Sequence, residues 1–145
     1  MKLFYSKILL FGEYGIIENS QGLTLPYSFY KGCFKFSGLE SEFEKKSNES
    51  LKKYWEYLAK LELPEQFRLD LPALKKDIEN GLFFDSNIPQ GYGVGSSGAL
   101  VAAIFDRYSV VQHKPEEIGK NELKELKKVF GELESFFHGK SSGID

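Results

Sequence analysis

Glycines on alternate positions, Gly91, Gly93 and Gly95, stand in the middle of this chain, shortly before an apolar run from 99 to 105. Few arrangements accommodate that pairing. The spacing strips one stretch of backbone of side chains, and the run behind it reads as a buried helix. A glycine loop feeding a helix N-terminus brings unpaired amides and the positive dipole end to one point, where an anion is stabilised. Phosphate is the anion that suits it. Ser96 and Ser97 stand at the helix start, where a hydroxyl either caps the helix or faces a metal-bound phosphate. Taken alone, the glycine pattern also fits a tight turn ahead of a core helix.

Two common nucleotide loops are a poor fit. A Walker A loop needs Lys and then Ser or Thr after its last glycine, and Gly95 is followed by Ser96. Gly139, Lys140 and Ser141 supply that tail, but the glycine required five positions earlier is Glu134. Residues 93–98 spell G-x-G-x-x-G, yet no apolar strand ending in an acidic residue follows to complete a βαβ unit.

At 145 residues, 41% hydrophobic and 28% charged, the chain has the makings of one soluble domain with a real core. Its net charge of −2 leaves no broad basic face for nucleic acid or an anionic membrane. No run approaches the roughly 20 apolar residues that cross a bilayer. The apolar N-terminus is interrupted by Lys7 and lacks a small-residue cleavage site, so it does not read as a signal peptide. The single cysteine, Cys33, permits no internal disulfide, reads as a small buried apolar group and fits a reducing, cytoplasmic setting.

Along the chain, 7–11 reads as a buried strand ended by Gly12, with a turn over 19–22 and a second strand over 29–36. Residues 40–50 read as a solvated link. Ser47 or Asn48 is expected to cap a helix through Leu51, Tyr54, Trp55, Leu58 and Leu61, ended by Pro64. A second helix over 71–80 with Gly81 at its end precedes a strand over 82–88. Helical spacing of Leu123, Leu126, Phe130, Leu133 and Phe137 predicts a last helix over about 121–137. His113 reads as a surface residue. Strands and helices do not alternate strictly, which predicts an α+β fold with mostly antiparallel pairing.

Two further segments carry chemistry. The last helix can project Glu134 toward a cation, and the small-residue turn beyond it sets Asp145 at the mouth of the same site. Metal-assisted phosphoryl transfer uses such a kit: carboxylate for Mg²⁺, hydroxyl on the metal, carboxylate for the acceptor proton, lysine for charge. Each residue alone has an ordinary reading: Glu134 as a solvated helix residue, Asp145 and Glu13 as turn residues, Lys7 as an edge charge. His138 reads as a helix C-terminal group favoured by the dipole.

Together these segments resemble the GHMP kinase family of galactokinases, homoserine kinases, mevalonate kinases and phosphomevalonate kinases. Residues 6–13, Ser-Lys-Ile-Leu-Leu-Phe-Gly-Glu, are similar to its first motif, though Tyr5 and Ser6 replace the usual Pro-Gly. Residues 89–99, from Pro89, are similar to P-x-G-x-G-L-G-S-S-A, with Val94 for Leu and Gly98 for Ala. Residues 134–145 resemble the mevalonate kinase segment E-x-x-x-H-G-x-P-S-G-x-D, with Ser141 for Pro.

The resemblance implies an ATP- and Mg²⁺-dependent kinase acting on a small-molecule alcohol. Pro89, Gly91, Gly93, Gly95, Ser96, Ser97 and Gly98 would wrap the phosphates, with Ser97 and Glu134 holding Mg²⁺. Asp145 would accept the hydroxyl proton and Lys7 would lower its pKa, with Glu13, Tyr14 and His138 on the acceptor side. The terminal segment favours mevalonate, whereas Gly12-Glu13-Tyr14 is similar to phosphomevalonate kinases. The implied fold is the N-terminal, ribosomal protein S5 domain 2-like domain of such an enzyme, covering 1–145. No segment here corresponds to the family's C-terminal domain, so the expectation is a half-enzyme needing that domain or a homodimer partner, or a non-catalytic nucleotide-binding fragment.

Overall fold

The computed structural model describes residues 2–11, 23–90 and 95–138. The expected turn over 19–22 and the strand end at Gly12 lie outside them. Strand β1 (Phe4–Phe11) pairs antiparallel with the long β2 (Leu23–Phe36), which pairs antiparallel with β3 (Leu82–Ser86), so β2 is central. The register runs Phe4↔Gly32 and Tyr5↔Lys31, then slips to Ser6↔Tyr27, an irregularity that starts one residue before Lys7. Such bulges re-aim side chains.

Helices α1 (Glu42–Leu58), α2 (Leu71–Glu79), α3 (Ser96–Tyr108) and α4 (Lys120–His138) complete an α+β architecture. Leu51 and Tyr54 of α1, Leu74 of α2, Ile104 of α3 and Leu133 of α4 join the fully buried Phe67 in the main core. A smaller cluster of Phe84, Ile88, Ala99 and Ala103 seats α3 against the sheet. The alanines let the helix approach closely, and Phe34 meets Phe84 edge to face with centroids 5.3 Å apart. Among the described residues, no helix is long and apolar enough to cross a membrane.

The segment read as a solvated link is instead the start of α1. Ser41 caps it and Glu44 reaches back to the cap backbone, a reciprocal capping box that starts the helix six residues before Ser47. Ser47 and Asn48 therefore lie inside the helix, and they face the outer edge of β3. The Ser47 hydroxyl both accepts from the Phe84 amide (2.9 Å) and donates to the Phe84 carbonyl (3.2 Å). The buried Asn48 amide donates to the Ile78 and Leu82 carbonyls at 3.0 and 2.6 Å. Side chains of α1 thus occupy edge groups that another strand would otherwise take. The helix ends at Leu58, leaving Leu61 outside it, and Pro64 caps a 3₁₀ turn, Glu65–Phe67.

Gly81 follows α2 with φ +92°, and a Cβ there would lie 2.1 Å from the Ser37 carbonyl oxygen. Only glycine closes that helix so tightly against β2. His113 is not a surface residue. Its ring is one-tenth exposed, lies against Phe67 and Phe105, and has Nε2 2.7 Å from the Gln66 carbonyl and Nδ1 3.4 Å from Glu122. Leu123, expected on the buried face of α4, is 57% exposed; the apolar stripe begins one turn later, at Leu126.

Candidate active site

Three stretches far apart in sequence meet at one cleft of about 350 Å³ between β1, the N-terminal half of α3 and α4. Lys7 comes from β1, Gly95 and Gly98 from the start of α3, and Glu134 from α4. The remaining wall is mostly apolar, with Phe4, Val101, Ala102 and Phe130 prominent. Among the described residues, Lys7 and Glu134 are the charged groups of the lining.

Gly95 is the residue on which this convergence turns. It precedes α3 with φ +83° and ψ +34°, a left-handed conformation that glycine adopts without strain. A Cβ at Gly95 would sit 3.0 Å from Lys7 Cγ and 3.4 Å from Lys7 Cε, so the lysine stem lies directly against this glycine. The left-handed turn starts α3 without a side-chain cap. Ser96 and Ser97 are accordingly the first two helical residues rather than caps, and the amides of the first turn are those an α-helix leaves without intrahelical partners.

Glu134 is only 3% exposed, which overturns its ordinary reading as a solvated helix residue. It sits beside Tyr54, whose phenol is held well above its usual range by burial first, then by the neighbouring Tyr57 and the Glu134 charge. A buried carboxylate facing a cleft is an expensive group to keep.

Other candidates are placed differently. Ser97 is buried in the first turn of α3 and is not part of the cleft lining, standing about 100° around the helix from Gly98. Ser96 and Pro89 are half-buried, Pro89 in the connection after β3. His138 is the last residue of α4. Gly91, Gly93, Glu13, Tyr14 and Asp145 lie outside the described residues.

A family model described as "GHMP kinases N terminal domain" matches residues 51–145. The chain belongs to this family. No curated protein and no solved structure matches the chain. Membership of the GHMP kinases marks it as a kinase-type protein, for which the family implies ATP and a small-molecule substrate. The matched span includes the glycine loop and α4 but not β1, so the lysine contact is an observation additional to the family match.

The apolar walls of the cleft were not anticipated, although a signal for them exists. Phe130 and Glu134 are four apart on α4, and Gly98, Val101 and Ala102 share the i, i+3, i+4 spacing on α3, so each set lies on one helix face. Small residues on one helix opposite a large one on the next leave room for a groove.

Proposed function

We propose that this protein is an ATP-dependent small-molecule kinase that transfers the γ-phosphate to an alcohol, with mevalonate as the acceptor. The observation that carries the reading is the Lys7 stem lying against Gly95 while buried Glu134 lines the same cleft. Of the ordinary alternatives, an edge lysine, a turn glycine and a solvated glutamate, none accounts for their meeting.

In this reading the loop from Pro89 to Gly98, with Gly91, Gly93, Gly95 and Ser96, offers backbone amides to the phosphates. Glu134 supplies an oxygen donor of the kind Mg²⁺ takes, and the Ser97 hydroxyl, in the first turn of α3 next to the lining residue Gly98 rather than in the lining itself, is assigned as the second. Among the described residues no group of three or more His, Cys, Asp or Glu forms a cage. Mg²⁺ suits such a setting, because it is commonly held by one or two carboxylates together with the nucleotide phosphates. Bound there, the ion would neutralise charge developing on the transferred group. Lys7 adds a positive charge that favours the alkoxide form of the acceptor, and Asp145 takes its proton. Glu13, Tyr14 and His138 bind the acceptor. The chain as a whole reads as the N-terminal domain of such a kinase, with an S5 domain 2-like fold, working with a C-terminal domain or a second copy.

ADP release by the full chain with ATP, Mg²⁺ and either mevalonate or phosphomevalonate tests this. Turnover with mevalonate, abolished in Asp145→Asn while ATP binding survives, is expected. Turnover with phosphomevalonate alone would reassign the acceptor. ATP binding without turnover on any alcohol would make the protein a nucleotide-binding module, and retained turnover in Asp145→Asn would remove the base assignment.

A further inference from the structure

Glu134 owes its place in the cleft to the rotational setting of α4, since a helix turned by one residue, about 100°, would present a different side chain. Ridge-and-groove packing alone leaves such settings loosely defined. Two tyrosines of α1 act on this setting. Tyr54 Oη donates to the Leu133 carbonyl at 2.7 Å, and Tyr57 Oη donates to the Glu132 carbonyl at 2.7 Å. These are the two carbonyls immediately before Glu134. A buried phenol has to find some acceptor, so the Tyr54 bond alone would be unremarkable at 1% exposure. The Tyr57 hydroxyl bond is solvent-exposed and water could satisfy it, yet it takes the adjacent carbonyl. The rings reinforce the direction: Tyr54 and Tyr57 stack 13° from parallel, and Phe136 and Phe137 of α4 lie 5.4 and 5.0 Å from Tyr54.

We infer that Tyr54 and Tyr57 are positioning residues that lock the rotation of α4 and so hold the Glu134 carboxylate in the cleft. The inference rests on the kinase reading above, in which Glu134 holds Mg²⁺. Orientation of a metal ligand through its supporting hydrogen bonds is commonly worth 10–100-fold in metal affinity. Neither tyrosine is among the described residues that line the cleft.

The test is a Mg²⁺ titration of ATP binding by the full chain, comparing the native protein with Glu134→Gln, the double variant Tyr54→Phe/Tyr57→Phe, and Trp55→Phe. The phenylalanines keep the rings and remove only the hydroxyls. Trp55 is on the same helix but donates to the Leu71 carbonyl of α2 at 2.9 Å, so its replacement costs a comparable bond elsewhere. The expected result is a Mg²⁺ midpoint raised at least about tenfold in the tyrosine double variant, with Trp55→Phe unchanged. An unshifted midpoint in the double variant, while Glu134→Gln loses its Mg²⁺ response, overturns the inference and leaves the kinase reading intact. Equal shifts in the tyrosine and tryptophan variants also overturn it, by showing a general loss of rigidity. Native protein with no Mg²⁺-dependent ATP binding overturns both.

Discussion

Replacing Gly95 by alanine probes the backbone turn and the lysine contact together. A non-glycine residue in the left-handed region costs about 1–2 kcal/mol, and the stiffer unfolded chain offsets about 0.4–1 kcal/mol of that. The balance is a loss of about 1 kcal/mol, or about 3 °C in melting temperature for a domain of this size. A second contribution is local: the new Cβ would lie 3.0 Å from Lys7 Cγ, so the lysine stem has to shift by a few tenths of an ångström. Urea unfolding of Gly95→Ala, Lys7→Ala and the double variant separates the two. Lys7→Ala deletes the crowded atom, so Gly95→Ala should cost less in that background, with a coupling of about 0.5 kcal/mol or more. The backbone part should persist. Strict additivity would show that the lysine does not lie on the glycine, and an undiminished stability in Gly95→Ala would show that the residue is not left-handed. ATP affinity should fall in Gly95→Ala even where the protein remains fully folded.

Asn48→Ala leaves the buried Leu82 carbonyl without its side-chain donor, while the Ile78 carbonyl still accepts from the Gly81 amide at 3.1 Å; at about 1–3 kcal/mol for one unsatisfied group, the urea midpoint should fall by the equivalent of about 1–3 kcal/mol, beyond an average surface substitution. Alkaline pH should destabilise the fold. Burial, the largest cause in each case, raises the Tyr54 and Tyr108 phenols above their usual range, with the Asp77 hydrogen bond assisting at Tyr108. The folded state therefore keeps protons that the unfolded state loses above about pH 10, so their contribution is fully present below that pH and is lost as pH rises further. Urea midpoints between pH 9 and 11 should show stability falling at up to about 1.4 kcal/mol per pH unit per tyrosine, and Tyr108→Phe should flatten the slope; a flat profile in the native protein would refute the assignment.

Much of the fold was legible locally. The last helix, the helix over 71–80 with its glycine stop, and the strand over 82–88 declare themselves by apolar period and punctuation, and each appears within a few residues of the expected range. The start of α1 is hidden in the sequence because its first two turns are polar apart from Phe43, and what starts it is the Ser41 and Glu44 capping pair rather than an apolar stripe. Hydropathy also does not register that polar Ser47 and Asn48 face a strand edge. The same blindness put His113 on the surface and Leu123 in the core, since a polar ring with good acceptors buries easily and an apolar residue at a helix end often has nothing above it.

For the site, the residue types and their order along the chain were enough to point to phosphate chemistry and to the family, because glycine spacing and carboxylate placement are local properties of backbone and side chain. Sequence could not say that Glu134 is buried, that Lys7 rests on Gly95, or that two tyrosines of a distant helix bind the carbonyls beside the glutamate. Those facts depend on how β1, α3, α1 and α4 pack against one another. Burial and hydrogen-bond partners belong to the assembled elements, and no single stretch of chain carries them.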